Sequence, residues 1–217
     1  MNEQLMPKPI QPEPSEQKEQ REKEKQFVFI MLKPLAINTA IETRNELGEI
    51  KKSDCSDKII KELELYGTFS DLVYEKTIIE QIAQLHYEES LKKPHGTRLI
   101  KYMANKTTII GILVETEETI KKRGAMSFPD WIRKNVIGPS DPEKTNEQHL
   151  RNLVIQNGLP HKVYLKGEKD PVYDNLIHCS DSNENALREV GIWYGKESET
   201  YKKFEEKTKK IVNESQA

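Results

Sequence analysis

Residues 27–32 read Phe-Val-Phe-Ile-Met-Leu, an unbroken run of six apolar side chains, and Lys33 and Pro34 follow directly. A short continuous apolar run that is rich in β-forming residues is typical of a strand buried on both faces. Proline cannot donate a hydrogen bond to a strand ladder, so the strand should end before Pro34. We therefore expect the ordered part of the chain to begin with this strand.

Further segments along the chain have the composition of strands or the apolar spacing of helices. Strands are predicted at 68–75, 107–114 and 172–177, and helices at 57–65, 77–87, 97–103 and 182–194. Because both kinds of element would share one sheet, the pattern favours a two-layer α+β sandwich.

The two ends of the chain differ in composition from this region. Residues 1–26 contain four prolines among polar and charged residues, and such a segment buries too little apolar surface to offset its ordering entropy. We predict a disordered tail there. Residues 197–217 are rich in charge and predict a peripheral C-terminal helix with a frayed end.

Charge and cysteine content limit the partners and the compartment that we expect. The 34 basic and 36 acidic residues leave a net charge of -2, which gives no field that would attract nucleic acid or an anionic membrane. Cys55 and Cys179 form no CxxC pair, and we find neither a secretory leader nor a membrane-spanning apolar run. We therefore expect a cytoplasmic protein with no nucleic-acid or membrane partner.

A histidine follows the last predicted strand, within Asn-Leu-Ile-His-Cys-Ser-Asp-Ser at 175–182. Asp181 and Glu184 have capping-box spacing, and Ser180 and Ser182 are further candidates for the cap, which predicts that a helix begins here. A helix N-terminus favours phosphate, and a free imidazole is largely neutral and nucleophilic at neutral pH. His178 is therefore a candidate for phosphorylation, although spacing alone favours a histidine that only bonds a backbone carbonyl.

Additional motifs favour phosphorylation of His178 over a purely structural histidine. The 175–182 segment, together with Glu189, Gly191 and Trp193, resembles the N-x-x-H-G-S-D-S and E-x-G-x-W signature of the nucleoside diphosphate kinase family. The resemblance extends to Phe-Ile-Met-Leu-Lys-Pro at 29–34, to His86-Tyr87 with Pro94 and Lys101-Tyr102-Met103, and to Gly138-Pro139-Ser140-Asp141-Pro142 with Arg151. It covers most of residues 26–194.

The resemblance implies a ferredoxin-like α+β sandwich over residues 27–196, with a four-stranded antiparallel sheet covered by helices. It also implies a Mg²⁺-dependent ping-pong reaction. His178 would take the γ-phosphate of a nucleoside triphosphate, typically ATP, and pass it to a nucleoside diphosphate. The nucleotide phosphates would carry the Mg²⁺, so no metal site of the protein's own is expected. A homo-oligomer, a tetramer or a hexamer, is expected as well.

The same resemblance gives the matched side chains roles around the nucleotide. Those expected to lie at the phosphates are Lys33, Tyr87, Ser140 and Arg151. Asn175 would bond the sugar hydroxyls, while Ser180 and Glu189 would hold His178 in place. Phosphoryl transfer demands little covalent chemistry beyond the nucleophile, so the cations should supply most of the catalysis.

Polar insertions interrupt the resemblance near 37–57, 117–136 and 157–173, as loop insertions commonly do. The family's second phosphate-binding arginine falls near one of them. Spacing gives Arg133, strict counting back from Ser140 gives Lys134, and Arg123 is a third candidate. The sequence leaves this choice open.

Three departures from the family pattern bear on function. Cys179 replaces a glycine, and we expect a small buried side chain there, with a redox-sensitive thiol as the alternative. His95 stands where the family stacks a phenylalanine on the base, and Leu35-Ala36 replace Asp-Gly after Lys-Pro. These departures support an alternative function, a catalytically weakened nucleotide-binding or regulatory module. A nucleic-acid-binding domain would need a basic face with exposed aromatics, which the sequence lacks.

Overall fold

The computed structural model describes residues 25–44, 50–93 and 95–214. All but the last two residues of the tail predicted at 1–26 lie outside these ranges. In chain order the described strands are β1 (Phe27–Leu32), β2 (Ala40–Arg44), β3 (Ile50–Asp54), β4 (Gly67–Thr77), β5 (Thr107–Glu115), β6 (Lys162–Val163), β7 (Val172–Tyr173) and β8 (Ile177–Cys179).

The helices are mostly short. In chain order the described α-helices are α1 (Pro34–Ile37), α2 (Cys55–Leu63), α3 (Glu80–His86), α4 (Glu88–Leu91), α5 (Gly96–Met103), α6 (Glu117–Arg123), α7 (Phe128–Ile132), α8 (Leu153–Gln156), α9 (Asn183–Tyr194) and α10 (Glu199–Glu214). A π-helical turn at Arg133–Ile137 and 3₁₀ turns at Pro142–Lys144 and Leu150–Asn152 complete the set. Among the residues described, none of the helices has the length and apolar character that a bilayer crossing requires.

A four-stranded antiparallel sheet forms the centre, with the strand order β4-β5-β1-β8. β1 pairs with β5, where Phe27 lies opposite Val114, and with β8, where Met31 lies opposite His178. Helices connect β1 to β4, β4 to β5 and β5 to β8. This is the strand order of a ferredoxin-like sandwich, with additional helices between β4 and β5, so the predicted fold class is confirmed.

Both faces of β1 are buried, as its composition predicts. Val28, Ile30 and Leu32 belong to one core cluster, together with apolar residues of α2, α7 and α8. The alternate side chains of the strand belong to a second cluster, with residues of α3, α5, α9 and α10. Each of these buried side chains contributes roughly 1.5–3 kcal/mol by leaving water. Because helices cover both faces of the sheet, the expectation of only two layers is wrong.

The fourth strand of the sheet begins later than predicted. Val172–Tyr173 pairs with Lys162–Val163 in a separate hairpin, and Leu176 has a φ of 68°. That left-handed conformation interrupts the extended chain, so only Ile177–Cys179 pairs with β1. The predicted strand at 172–177 is therefore wrong in its limits, and His178 lies inside a short edge strand rather than beyond the end of a longer one.

The first polar insertion folds as a hairpin, because β2 and β3 pair with each other in a two-stranded sheet. The other predicted helices and strands are found with shifts of a few residues at their ends. The N-cap of α9 is Ser182, whose Oγ accepts a hydrogen bond from the Asn185 backbone N–H at 3.1 Å. The Asp181–Glu184 capping box therefore does not form.

Candidate active site

His178 is held between the edge strand and α9. Its Nε2 lies 2.8 Å from Oε1 of Glu189, and Ser180 Oγ donates a hydrogen bond to Oε2 of the same carboxylate at 2.6 Å. The Phe29 backbone N–H donates to Ser180 Oγ at 3.2 Å, which ties this group to β1. The carboxylate requires Nε2 to carry the proton, so Nδ1 is left with a free lone pair.

Glu189 stays ionised although its side chain is buried. Burial opposes the charged form, but the charge that His178 carries when protonated and the hydrogen bonds from His178 and Ser180 outweigh it and hold the pKa of Glu189 well below its usual range. A buried carboxylate of this kind favours one tautomer of its histidine partner and stabilises positive charge on the ring. Glu189 can thus both orient His178 and support charge that develops there during a reaction.

His86 forms one wall of the site, a role that the sequence analysis did not assign to it. Its ring centroid lies 4.5 Å from that of His178, edge to face, and Trp193 Nε1 donates to His86 Nδ1 at 3.2 Å. Burial, together with the nearby His178, lowers the pKa of His86 to about 3. The ring is neutral and packs against His178. The His-Tyr motif marks the residue, but its burial follows from tertiary packing.

Two buried cations stand beside the histidine. Lys33, immediately after β1, is 6% exposed, and burial lowers its pKa to about 8 against the opposing effect of the Asp174 charge. Arg151 is similarly buried. Its guanidinium donates to the Ile177 carbonyl at 2.8 Å and to the Gly138 carbonyl at 2.7 Å. Such fixed cations suit the stabilisation of phosphate charge without reorganisation during reaction.

The structure separates the three candidates for a second arginine. Arg123 pairs with the buried Glu115 at 2.6 Å, near the Phe27 end of β1 and away from His178, so it is not a site residue. Lys134 is more than half exposed and bonds Asp130 at 2.6 Å. Arg133 also bonds Asp130.

Arg133 differs from Lys134 in its position relative to the site. Burial has the largest effect on the pKa of Arg151, which it lowers, and on the pKa of Cys179, which it raises. The positive charge of the Arg133 guanidinium is among the smaller effects and acts to lower both pKa values. Arg133 also begins a π-helical turn, which contains one residue more than an α-helical turn. One extra residue between Arg133 and Ser140 would account for the difference between Arg133 and the residue that strict counting selects.

Some of the remaining site residues present buried polar atoms. Among the described residues, the Tyr87 hydroxyl and Asn175 Oδ1 have no hydrogen-bond partner, although buried polar atoms are normally paired by protein, water or ligand. The Asn175 amide donates to the Ser140 carbonyl at 2.7 Å. Ser140 itself is exposed, as is His95 before α5. Within the described chain, no ring contact or hydrogen bond joins His95 to His178.

The departures from the family pattern are accommodated locally. The Cys179 thiol is buried and donates to the Ser180 carbonyl at 3.2 Å, and burial raises its pKa, so the thiol form is favoured over the reactive thiolate. Leu35 lies in the first turn of α1, and its N–H donates to Asp174 Oδ2 at 3.0 Å. The chain after β1 thus turns into a short helix that a distant carboxylate holds.

One cluster in the described chain has the side-chain types of a metal site. Donor atoms of His86, His178 and Glu189 all lie within 4.8 Å of one another. Mg²⁺ prefers several oxygen ligands, whereas this cluster offers one carboxylate that already binds His178 and Ser180. The cluster therefore does not fit a resident Mg²⁺.

Known proteins that are similar to this chain are nucleoside diphosphate kinases. The family profile described as nucleoside diphosphate kinase matches residues 26–199. The nucleoside diphosphate kinase of Staphylococcus haemolyticus is 28% identical over 78% of this chain and 87% of its own, and that of Clostridium perfringens is 25% identical over 77% and 90%. A crystal structure of the Aquifex aeolicus enzyme shares the fold with a TM-score of 0.50, 20% identity and coverage of 77% of this chain and 94% of that one. The chain belongs to the nucleoside diphosphate kinase family.

Proposed function

We propose that this nucleoside diphosphate kinase works through a phosphohistidine on Nδ1 of His178. The observation that carries the proposal is the 2.8 Å contact between His178 Nε2 and the ionised Glu189. That contact holds the proton on Nε2 and leaves the Nδ1 lone pair free to attack. The ring of His178 is also partly exposed, with a side-chain accessibility of 24%, so a substrate can approach it.

In the first half-reaction, the Nδ1 lone pair attacks the γ-phosphorus of the triphosphate. The bond from phosphorus to the β,γ-bridging oxygen breaks, and the nucleoside diphosphate leaves with that electron pair. In the second half-reaction, a terminal oxygen of another nucleoside diphosphate attacks the same phosphorus, and the phosphorus–nitrogen bond breaks. The lone pair returns to Nδ1, and Nε2–H stays bonded to Glu189 throughout.

The buried cations supply the electrostatic part of the mechanism. Lys33 and Arg151 would bind the phosphate oxygens on which charge accumulates during transfer. We assign the second arginine of the family to Arg133 rather than Lys134, because the Lys134 side chain is more than half exposed, whereas the charge of Arg133 acts on the buried Arg151 and Cys179. The Tyr87 hydroxyl and Asn175 Oδ1, which are buried and unpaired in the described chain, would bond the phosphates and the sugar. Ser140 and His95 remain predicted contacts at the edge of the site.

The divalent ion belongs to the substrate in this proposal. Mg²⁺ would enter with the nucleotide phosphates and neutralise part of their charge. The two free buried cysteines suit a reducing compartment, and we propose the cytoplasm. A tetrameric or hexameric assembly stays a prediction from the family resemblance.

A catalytically weakened binding module has less support. It rested on Cys179, His95 and Leu35-Ala36. The thiol is buried beside Ser180, and Leu35 is anchored by Asp174, so neither departure displaces the pair formed by His178 and Glu189. Only the smaller ring of His95, which offers less area than a phenylalanine for stacking on the base, remains in favour of the alternative.

The proposal is tested by incubating the purified protein with Mg²⁺ and γ-labelled ATP. Acid-labile label should appear on the protein and leave as labelled CTP or GTP when unlabelled CDP or GDP is added. His178→Ala should take up no label. Label that persists in that variant would assign the nucleophile to another residue, and nucleotide binding without any label on the unaltered protein would favour the binding module.

A further inference from the structure

A buried carboxylate that the mechanism above does not use lies directly behind the site. Asp174 is fully buried, in the segment between β7 and β8. Its Oδ2 accepts hydrogen bonds from the Leu35 N–H at 3.0 Å and from the Tyr102 hydroxyl at 2.6 Å. Its Oδ1 accepts one from the Leu176 N–H at 3.1 Å. The carboxylate thus joins three separate parts of the chain.

Two of those parts carry residues of the active site. Leu35 is two positions after Lys33, and Leu176 lies between Asn175 and β8. Leu176 adopts a φ of 68°, a conformation that is strained for a non-glycine residue and persists only where its surroundings hold it. The Lys33 N–H donates to the Leu176 carbonyl at 2.8 Å. Asp174 therefore secures the strained junction at which the backbone of Lys33 meets the segment leading to His178.

The charge of Asp174 also acts on the Lys33 ammonium. Burial lowers the pKa of Lys33 to about 8, Asp174 raises it, and Arg151 from the 3₁₀ turn lowers it further. His86 from α3 is neutral, because burial holds its pKa at about 3. In the described chain, no carboxylate oxygen makes an ion pair with Lys33 within 4 Å, so Asp174 acts through space. Lys106, whose Nζ lies 3.3 Å from the centroid of the Tyr102 ring, is a second cation near the carboxylate.

We infer that Asp174 is a positioning residue of the phosphoryl-transfer site, which keeps the Lys33 ammonium charged and locks the turn after β1 against the segment before His178. The inference rests on the proposed function, since it takes Lys33 to be a cation for the phosphates. It goes beyond that function because the carboxylate needs no contact with the nucleotide. Both of its effects follow from contacts with other residues of the protein.

The test is the pH dependence of phosphoenzyme formation from Mg-ATP at low ATP concentration, which reports the ionisation of the free enzyme. The unaltered protein should lose rate on an alkaline limb near pH 8, where Lys33 deprotonates. Asp174→Asn removes the charge, and the limb should move down by roughly one pH unit, the smaller end of the range for a nearby opposite charge. Tyr102→Phe is the matched control: it removes one hydrogen bond to the carboxylate but keeps its charge, so the limb should not move.

An alkaline limb that coincides in Asp174→Asn and the unaltered protein would overturn the inference, even if the rate falls at every pH. If Asp174→Asn does not fold, Lys33→Arg provides the second test. A guanidinium stays charged well above pH 9, so the alkaline limb should vanish, and a limb that persists would overturn the inference. Failure of the unaltered protein to form a phosphoenzyme at any pH would instead refute the proposed function.

Discussion

Replacing Glu189 by glutamine tests whether the carboxylate behind His178 contributes to catalysis. The side chain accepts from His178 Nε2 at 2.8 Å and from Ser180 Oγ at 2.6 Å. Glutamine keeps the shape and one acceptor oxygen but loses the charge. A hydrogen bond to a charged group is worth about 1.5–3 kcal/mol, and each 1.36 kcal/mol is a factor of ten in rate. Losing one such bond predicts a roughly 10- to 150-fold slower phosphorylation of His178.

The assay is a single-turnover measurement with γ-labelled ATP, in which label on the protein is followed by rapid quench. Glu184→Gln is the control, because Glu184 is an exposed residue of the same helix, and its rate should match that of the unaltered protein. Thermal unfolding of both variants shows whether α9 still packs. A Glu189→Gln variant that is folded and phosphorylates at the unaltered rate would refute the reasoning.

Three further predictions address the phosphate cation, the thiols and the C-terminal helix. Arg133→Ala should raise the KM for ATP by roughly tenfold through loss of a charged hydrogen bond, whereas Lys134→Ala should leave the KM unchanged. The reverse pattern would assign the role to Lys134, the residue that strict counting selects. Cys55 and Cys179 are buried, and burial raises their pKa values, that of Cys55 to about 11. Ellman's reagent should therefore detect no thiol in the native protein at pH 8 and two after unfolding, and fast native labelling of Cys179 would revive the redox alternative. Phe204→Ala should cost about 3–5 kcal/mol of unfolding free energy, since this buried ring of α10 lies 4.5 Å from Phe27; denaturant titration measures the loss, and a change below about 1 kcal/mol would mean that α10 does not pack there.

The features that the sequence predicts well depend on local pattern or on a matched motif. The six apolar residues of β1 specify a strand buried on both faces without reference to any other part of the chain. The motif around His178 places Ser180 and Glu189 at spacings that bring all three side chains together once α9 folds back on the sheet. The fold class follows from the same motifs, because they mark consecutive elements of one family.

The features that the sequence does not predict arise from tertiary contacts. Leucine has no preference for a positive φ, so nothing local indicates that Leu176 interrupts the strand predicted at 172–177. Asp174 bonds the Leu176 N–H from two positions away, but its fixed position depends on its contact with the Leu35 N–H, which is distant in the sequence. Arg133 and Lys134 lie in a π-helical turn, which the composition of the segment does not indicate. The burial of His86 likewise follows from its packing between Trp193 and His178.

The most direct test of the account is to identify the ring nitrogen that carries the phosphate. Protein labelled with ¹⁵N-histidine is phosphorylated with Mg-ATP, and the one-bond coupling between phosphorus and nitrogen is located by NMR. The contact between His178 Nε2 and Glu189 predicts a coupling to Nδ1 of His178, with Nε2 still protonated. A coupling to Nε2, or phosphate on any other side chain, would contradict the account.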